Sequence, residues 1–281
     1  MIVSRAPRSP ALAAFVDALW VHQGELSHRY ERLLPSGRMQ LLVNLHSDEL
    51  CDYTPEGCPA NWTRGAALQG ARIAPVLIDT SHQRHICGVS LAAGGARHLL
   101  GVPADELCGR VFNLSDIWGR DGDRLRERLL EAIAPAKQLD LLETALLERG
   151  TSFDRGCSEV ILACRLLEHG ASVRSLCDRL GLTPRRLINL FRTHVGVAPK
   201  LFARLARFQA VLRGRAAETP WIELAAAHGF SDQAHMIREF GVFAGMTPSE
   251  YRARSGQAIH HVERSERQFP PIRDPPGNDT L

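Results

Sequence analysis

The sequence has no apolar run approaching the roughly 18 uninterrupted residues of a membrane-crossing helix, so it is not expected to enter a bilayer. Its start, MIVSRAPRSPALAAF, lacks the basic stretch followed by an apolar one that marks an export signal. No C-x2-C pair occurs among its seven cysteines, Cys51, Cys58, Cys87, Cys108, Cys157, Cys164 and Cys177. An odd, scattered set without an export signal predicts reduced thiols and a cytoplasmic location rather than a disulfide framework. No His-x-His pair aligns with a downstream carboxylate and histidine. The segment SHQRHIC does offer His82, His85 and Cys87, the last two on one strand face, as ligands for a zinc or iron site. Surface or core histidines are the plainer account, and the sequence predicts neither a metal nor another cofactor. Cys51-x6-Cys58 could form a redox or alkylation sensor, but no cluster of Lys or His stands near it to lower a thiol pKa.

What is present is the composition of a globular protein of one or two domains: 281 residues, 44% hydrophobic and 23% charged. The net charge of +3 hides an asymmetry. Residues 1–154 hold 16 Lys and Arg against 19 Asp and Glu, residues 155–255 hold 15 against 8, and residues 256–281 hold 3 against 4. A basic segment beside a mildly acidic one suits a chain of which only part meets a polyanion.

Strand signals lie in the first half. YERLLPSGRMQLLVNL (30–45) reads as two strands around the turn Pro35-Ser36-Gly37, and APVLIDT (74–80) and RHICGVSL (84–91) read as two more. PALAAFVDALWVH (10–22) reads as a short amphipathic helix, GGARHLLG (94–101) as a helix start, and 122–134 and 136–149 as helices split by Pro135. The apolar faces of this last pair would either cover their own barrel or join a second subunit. Beyond Gly150 the pattern is helical, and the tail with FPPIRDPPGND predicts disorder. The expected class is α+β. Residues 1–152 would form a small β-barrel or sheet with flanking helices, 153–256 an all-α domain, and 257–281 a disordered tail.

The helical half contains a repeat. FRTHVGVAPKLF (191–202) and FGVFAGMTPSEY (240–251) both obey F-x4-G-x2-P-x2-aromatic, at a constant offset of 49. Before the first copy, Val173, Leu176 and Leu180 lead to Gly181, then to Thr183-Pro184, an N-cap followed by proline at the first helical position. Leu187, Leu190 and Phe191 form the buried stripe of the helix so begun. Before the second copy, Ile222, Leu224 and Ala225 supply an apolar face, Gly229 breaks the helix, and Ser231 or Asp232 caps the next, whose inner face carries Met236, Phe240 and Phe243. Two short helices around a Gly-containing turn, twice over, predict two helix-turn-helix units. Leu201, Leu205, Phe208 and Leu212 place a linker helix of about 15 residues, roughly 22 Å, between them. Such a spacer suits units set about one DNA turn, near 34 Å, apart.

LCDRLGLTPRRLINLFRTHVGVAPKLF and AAAHGFSDQAHMIREFGVFAGMTPSEYR resemble the double helix-turn-helix domain of AraC/XylS-type bacterial transcription regulators. ERLLPSGRMQLLVNL and GGARHLLGVPADEL carry a weaker likeness to the cupin-like sensor modules that precede some of these domains. The resemblance implies a sequence-specific, one-component transcription regulator or activator without catalysis. Its implied partners are double-stranded DNA, a small-molecule effector of unstated chemistry, RNA polymerase and a second subunit. Family positions that reach bases fall on Arg185, Ile188 and Asn189, and the second unit offers Gln233, Ala234 and Arg238. Arg and Asn read guanine and adenine edges, whereas Ile188 and Asn189 depart from the polar or basic residues often seen there, and Ile188 suits a thymine methyl. Arg186, Arg192, Lys200 and His235 are the expected phosphate contacts. The alternative is a metal- or thiol-dependent front domain, enzyme or sensor, fused to the same DNA-binding half.

Overall fold

The computed structural model describes residues 1–150, 155–214, 219–254 and 259–264. Its first half is built from ten antiparallel strands: β1 (Ile2–Arg5), β2 (Val16–Gln23), β3 (Tyr30–Leu33), β4 (Gln40–Asn44), β5 (Glu49–Tyr53), β6 (Pro59–Arg64), β7 (Ala66–Gln69), β8 (Val76–Asp79), β9 (His85–Leu91) and β10 (Val111–Asn113). Four helices accompany them: α1 (Ala96–Leu100), α2 (Leu114–Trp118), α3 (Arg120–Glu131) and α4 (Pro135–Glu148). One sheet runs β1-β2-β9-β4-β7-β10. The other runs β3-β8-β5-β6 and is extended beyond β3 by β11 (His261–Arg264), which follows the helical half in sequence.

Period-two alternation explains how the six-stranded sheet is covered. Leu19, Val21, Leu41, Val43, Cys87 and Val89 face one way and form a core with Leu125 and Leu129 of α3 and Leu139, Leu142 and Leu146 of α4. The intervening Trp20, Leu42 and Ile86 face the second sheet across a cavity. The apolar faces of α3 and α4 are therefore spent on their own sheet, and the second-subunit alternative loses those faces. Leu130, Ile133 and Leu147 stay exposed. Pro135 does split the two helices, as the first residue of α4.

Two sequence expectations fail here. Residues 10–22 are not a helix: a turn leads into β2, although Leu12, Phe15, Val16 and Leu19 fit a helical stripe and are all buried. Pairing with β1 and β9 on both sides decides the matter, helped by the β-branched Val16 and Val21 and by Trp20. The expected tail disorder also fails at 261–264, where β11 pairs with β3 over four residues and buries Val262 fully. The proline-rich segment that prompted the expectation lies outside the described residues.

The helical half holds α5 (Arg155–Glu168), α6 (Val173–Leu180), α7 (Pro184–Val195), α8 (Pro199–Gly214), α9 (Trp221–Ala227), α10 (Gln233–Ala244) and α11 (Pro248–Arg254). It has two cores. Leu176, Leu187, Phe191 and Phe202 join α5 to α8 in the first. Phe208, Leu212, Met236, Phe240, Phe243 and Tyr251 join α8 to α11 in the second. The 16-residue α8, about 24 Å long, contributes to both cores. Ile222 departs from expectation: it is exposed, while Trp221 packs edge-on against Phe240 at 6.2 Å.

The repeat now has a physical meaning. In each copy the phenylalanine is a core anchor of the unit's second helix, α7 or α10. The glycine ends that helix with φ +88° at Gly196 and +63° at Gly245, a left-handed conformation that favours glycine. The proline opens the next helix, and its aromatic packs back on the anchor: Phe191 to Phe202 at 5.7 Å, Phe240 to Tyr251 at 5.5 Å.

Candidate nucleic-acid interface

The second helix of each unit, α7 or α10, begins with a side-chain cap. Thr183 Oγ1 accepts from the Arg186 backbone N–H at 3.2 Å, and Asp232 Oδ1 from that of His235 at 2.6 Å. Of the two caps offered for α10, Asp232 is the one used. Its carboxyl is held below the usual range, first by that backbone hydrogen bond and then by the Ser231 hydroxyl.

On α7, burial of Leu187 and Phe191 turns Arg185, Arg186, Ile188, Asn189 and Arg192 outward, and all five are exposed. Arg185, Ile188, Asn189 and Arg192 share one face by the i, i+3, i+4 rule. Arg186 is salt-bridged to Glu159 of α5 at 2.9 Å, and Arg192 lies 3.5 Å from Asp105 of the front domain. Lys200 is exposed on α8. On α10, Ala234 and Arg238 are exposed and Gln233 is half-buried. The His235 imidazole is engaged locally: Nδ1 lies 3.1 Å from Ser231 Oγ, and the ring stands edge-on to Phe230 at 5.5 Å. Ile237, absent from the sequence-based set, is exposed between these residues. The signal that finds it is the repeat offset, since Ile188 and Ile237 are 49 residues apart.

The front domain grips both α7 and α10 at their C-terminal ends, which sequence reasoning missed. At α7, a β-carbon on Gly196 would stand 2.6 Å from the Ala104 carbonyl oxygen, so glycine also permits the close approach. At α10, Arg32 of β3 donates from Nη1 to the carbonyls of Ala244 at 3.0 Å and Gly245 at 2.7 Å. A buried guanidinium thus satisfies carbonyls that the helix end leaves open, at its negative pole. Burial holds the Arg32 pKa below its ordinary value. Gln209 of α8 donates to the Pro35 carbonyl at 2.7 Å and lies 2.5 Å from His260. These links join distant sequence segments, so no local pattern announces them.

Between the sheets lies a cavity of about 430 Å³. Trp20, Leu33, Leu42, Ile78 and Ile86 supply apolar wall, and His260 and His261 border it from the C-terminal segment. Two buried polar clusters line it. Arg72 meets Asp52 at 2.9 Å, with Asn61 donating to the same carboxylate at 2.7 Å. Burial pushes the Asp52 carboxyl up, only partly offset by Arg72. Glu31 accepts from His261 and His28, each at 2.6 Å. Burial pushes that carboxyl up too, but the hydrogen bonds and charges of His261 and His28 more than reverse it.

The residues weighed for metal or thiol chemistry are dispersed. His82 is exposed, His85 hydrogen-bonds Gln23 at 3.0 Å and Gln138 at 3.2 Å, and Cys87 is in the core. Among the described residues, no three His, Cys, Asp or Glu side chains are grouped to hold a metal ion. Burial pushes the thiols of Cys51 and Cys108 up and that of Cys87 to about 12, the direction opposite to an activated thiolate.

Comparison with known proteins follows this division. Residues 176–254 match a helix-turn-helix domain family, and residues 4–113 match a family described as a domain of unknown function. The arabinose operon regulatory protein of Escherichia coli (strain K12) is 25% identical over 158 residues, 56% of this chain. The chain is thus similar to an AraC-type regulator. The match spans about half of that relative, 53% of its length. Among solved structures, an apo ToxT variant from Vibrio cholerae strain SCE256 aligns at TM-score 0.39 and 14% identity, over 90% of this chain and 96% of that one. Wild-type ToxT of the same strain, bound to an unsaturated fatty acid, aligns at TM-score 0.37 and 12% identity, over 89% and 93%. No helix among the described residues is long and apolar enough to cross a membrane.

Proposed function

We propose that the chain is a one-component transcription regulator that lays α7 and α10 into two successive major grooves of double-stranded DNA. The observation that carries this reading is the pair of capped, outward-facing helices on one spacer, α8, with Arg185, Asn189 and Arg238 at exposed positions. Arg185, Ile188 and Asn189 would meet bases in one groove, and Gln233, Ala234 and Arg238 in the other. Arg186 and Lys200 would bind phosphates. Arg186, Arg192 and His235 each already have a partner in the protein, which a phosphate contact would replace or share.

The cavity would hold the effector, and β3 would relay its presence. Glu31 and Leu33 of β3 line the cavity, while Arg32 between them caps α10. An effector that shifts β3 therefore shifts the support of the second reading helix. RNA polymerase and a second copy of the chain are the partners this role calls for.

The test is binding of the full chain to fragments selected from a random DNA pool, over a range of salt. Lys and Arg contacts to phosphate release counterions, so affinity should fall steeply as salt rises. Arg186→Ala should weaken selected and random DNA alike. No enrichment of any fragment, or a salt slope near zero, would contradict the reading.

A further inference from the structure

We infer that Ile188 and Ile237 form a matched pair of thymine-reading side chains, one in each groove, so that the recognised DNA carries two thymines about one helical turn apart. The inference rests on the DNA-binding reading above and adds a chemical determinant to it. Three observations converge. First, the offset of 49 superposes the reading helices: Leu187 on Met236 and Phe191 on Phe240, all four buried. Ile188 and Ile237 therefore occupy the same place on α7 and α10. Second, both are exposed, Ile188 by 43% and Ile237 by 37%, and neither belongs to the core of its unit. Third, their surroundings are alike in position but not in chemistry. Arg185 of α7 corresponds to Ala234 of α10, and Asn189 to Arg238. The polar readers differ between the units while the aliphatic one is the same.

An exposed branched aliphatic side chain offers no hydrogen bond. In a major groove its complement is the 5-methyl group, which thymine alone presents there among the four bases. Isoleucine also suits a fixed contact, because its branched β-carbon restricts the first side-chain torsion. Equivalent positions on two helices set in successive grooves would place their thymines about 10–10.5 base pairs apart. The flanking bases should differ between the two half-sites, because the flanking side chains do.

The experiment removes only the methyl. The full chain is titrated against a fragment selected from the random pool, and against copies in which each thymine is replaced in turn by deoxyuridine. Two positions about one turn apart should each lose about three- to fivefold in affinity, the worth of one buried methyl or methylene group. Ile188→Ala should erase the loss at one position and leave the other, and Ile237→Ala should do the reverse. Ile→Val at either site should keep part of the sensitivity. Because both side chains are exposed, the variants should keep the wild-type melting temperature. Deoxyuridine without effect at every position, or both variants silencing the same position, would overturn the inference while leaving DNA binding standing. Failure to enrich any fragment would overturn the DNA-binding reading and this inference with it.

Discussion

The two helix-turn-helix units share one framework and differ in how the front domain holds them. In both, a buried phenylalanine anchors the second helix, a left-handed glycine ends it, and a proline opens the next. The first unit meets the front domain through the backbone contact at Gly196 and a largely exposed ion pair, Arg192 with Asp105. The second is tied by the buried Arg32, by Leu34 within its core, and by β11, which leaves the end of the unit to pair with β3. Exposed ion pairs contribute about 0–1 kcal/mol, whereas hydrogen bonds from a buried charge contribute about 1.5–3 kcal/mol. The second unit is thus the more firmly held, and it sits beside the cavity.

The largest effects should fall on what the units share. Phe191→Ala and Phe240→Ala each remove a fully enclosed ring and should cost about 3–5 kcal/mol, measured by denaturant unfolding. Hydrogen exchange should assign each loss to its own unit. Wild-type stability in either variant would mean the repeat register is wrong.

Next comes a pH effect confined to the second unit. Burial, then the charges of His261 and Arg213, lower the His260 pKa from 6.5 to about 4. The unfolded chain therefore takes up this proton first as pH falls. The stability contributed by neutral His260 is complete above about pH 6.5 and declines toward pH 4, by at most about 1.4 kcal/mol per unit. Melting of the wild type and His260→Gln across that window should show the wild type losing ground as pH falls. Parallel curves would contradict it.

Arg32→Ala should cost about 1.5–3 kcal/mol and speed amide exchange at the C-terminal end of α10, leaving α7 unchanged. Asp105→Ala, on the other side of the comparison, should cost under about 1 kcal/mol. Equal costs would erase the distinction between the two grips.

Much of this was legible in the sequence because the signals were local. Glycine, proline and cap residues at fixed spacing placed α6, α7, α9 and α10, and turn residues placed β3, β4, β8 and β9. The losses have a common cause. The 10–22 segment carries a helical stripe that sheet pairing overrode, and β7 and β10 pair only with strands distant in sequence. Of the candidate site, the outward-facing residues of α7 and α10 follow from the cap and the buried stripe. Arg32, Ala104 and Asp105 do not, because they act on helix ends 87 or more residues away in sequence. Ile237 is legible from the repeat itself, 49 residues beyond Ile188.

The central claim is that the two helices read different halves of one DNA site. Its most direct measurement is binding of wild type, Arg185→Ala and Arg238→Ala to the selected fragment with each base pair varied in turn, at fixed salt. A good base contact is worth about 1–3 kcal/mol of discrimination, and a phosphate contact none. Each variant should relax base preference by at least several-fold in one half of the site only, the halves should differ, and their centres should lie about one helical turn apart. Uniform weakening across all variants, or relaxation of the same half by both substitutions, would contradict it.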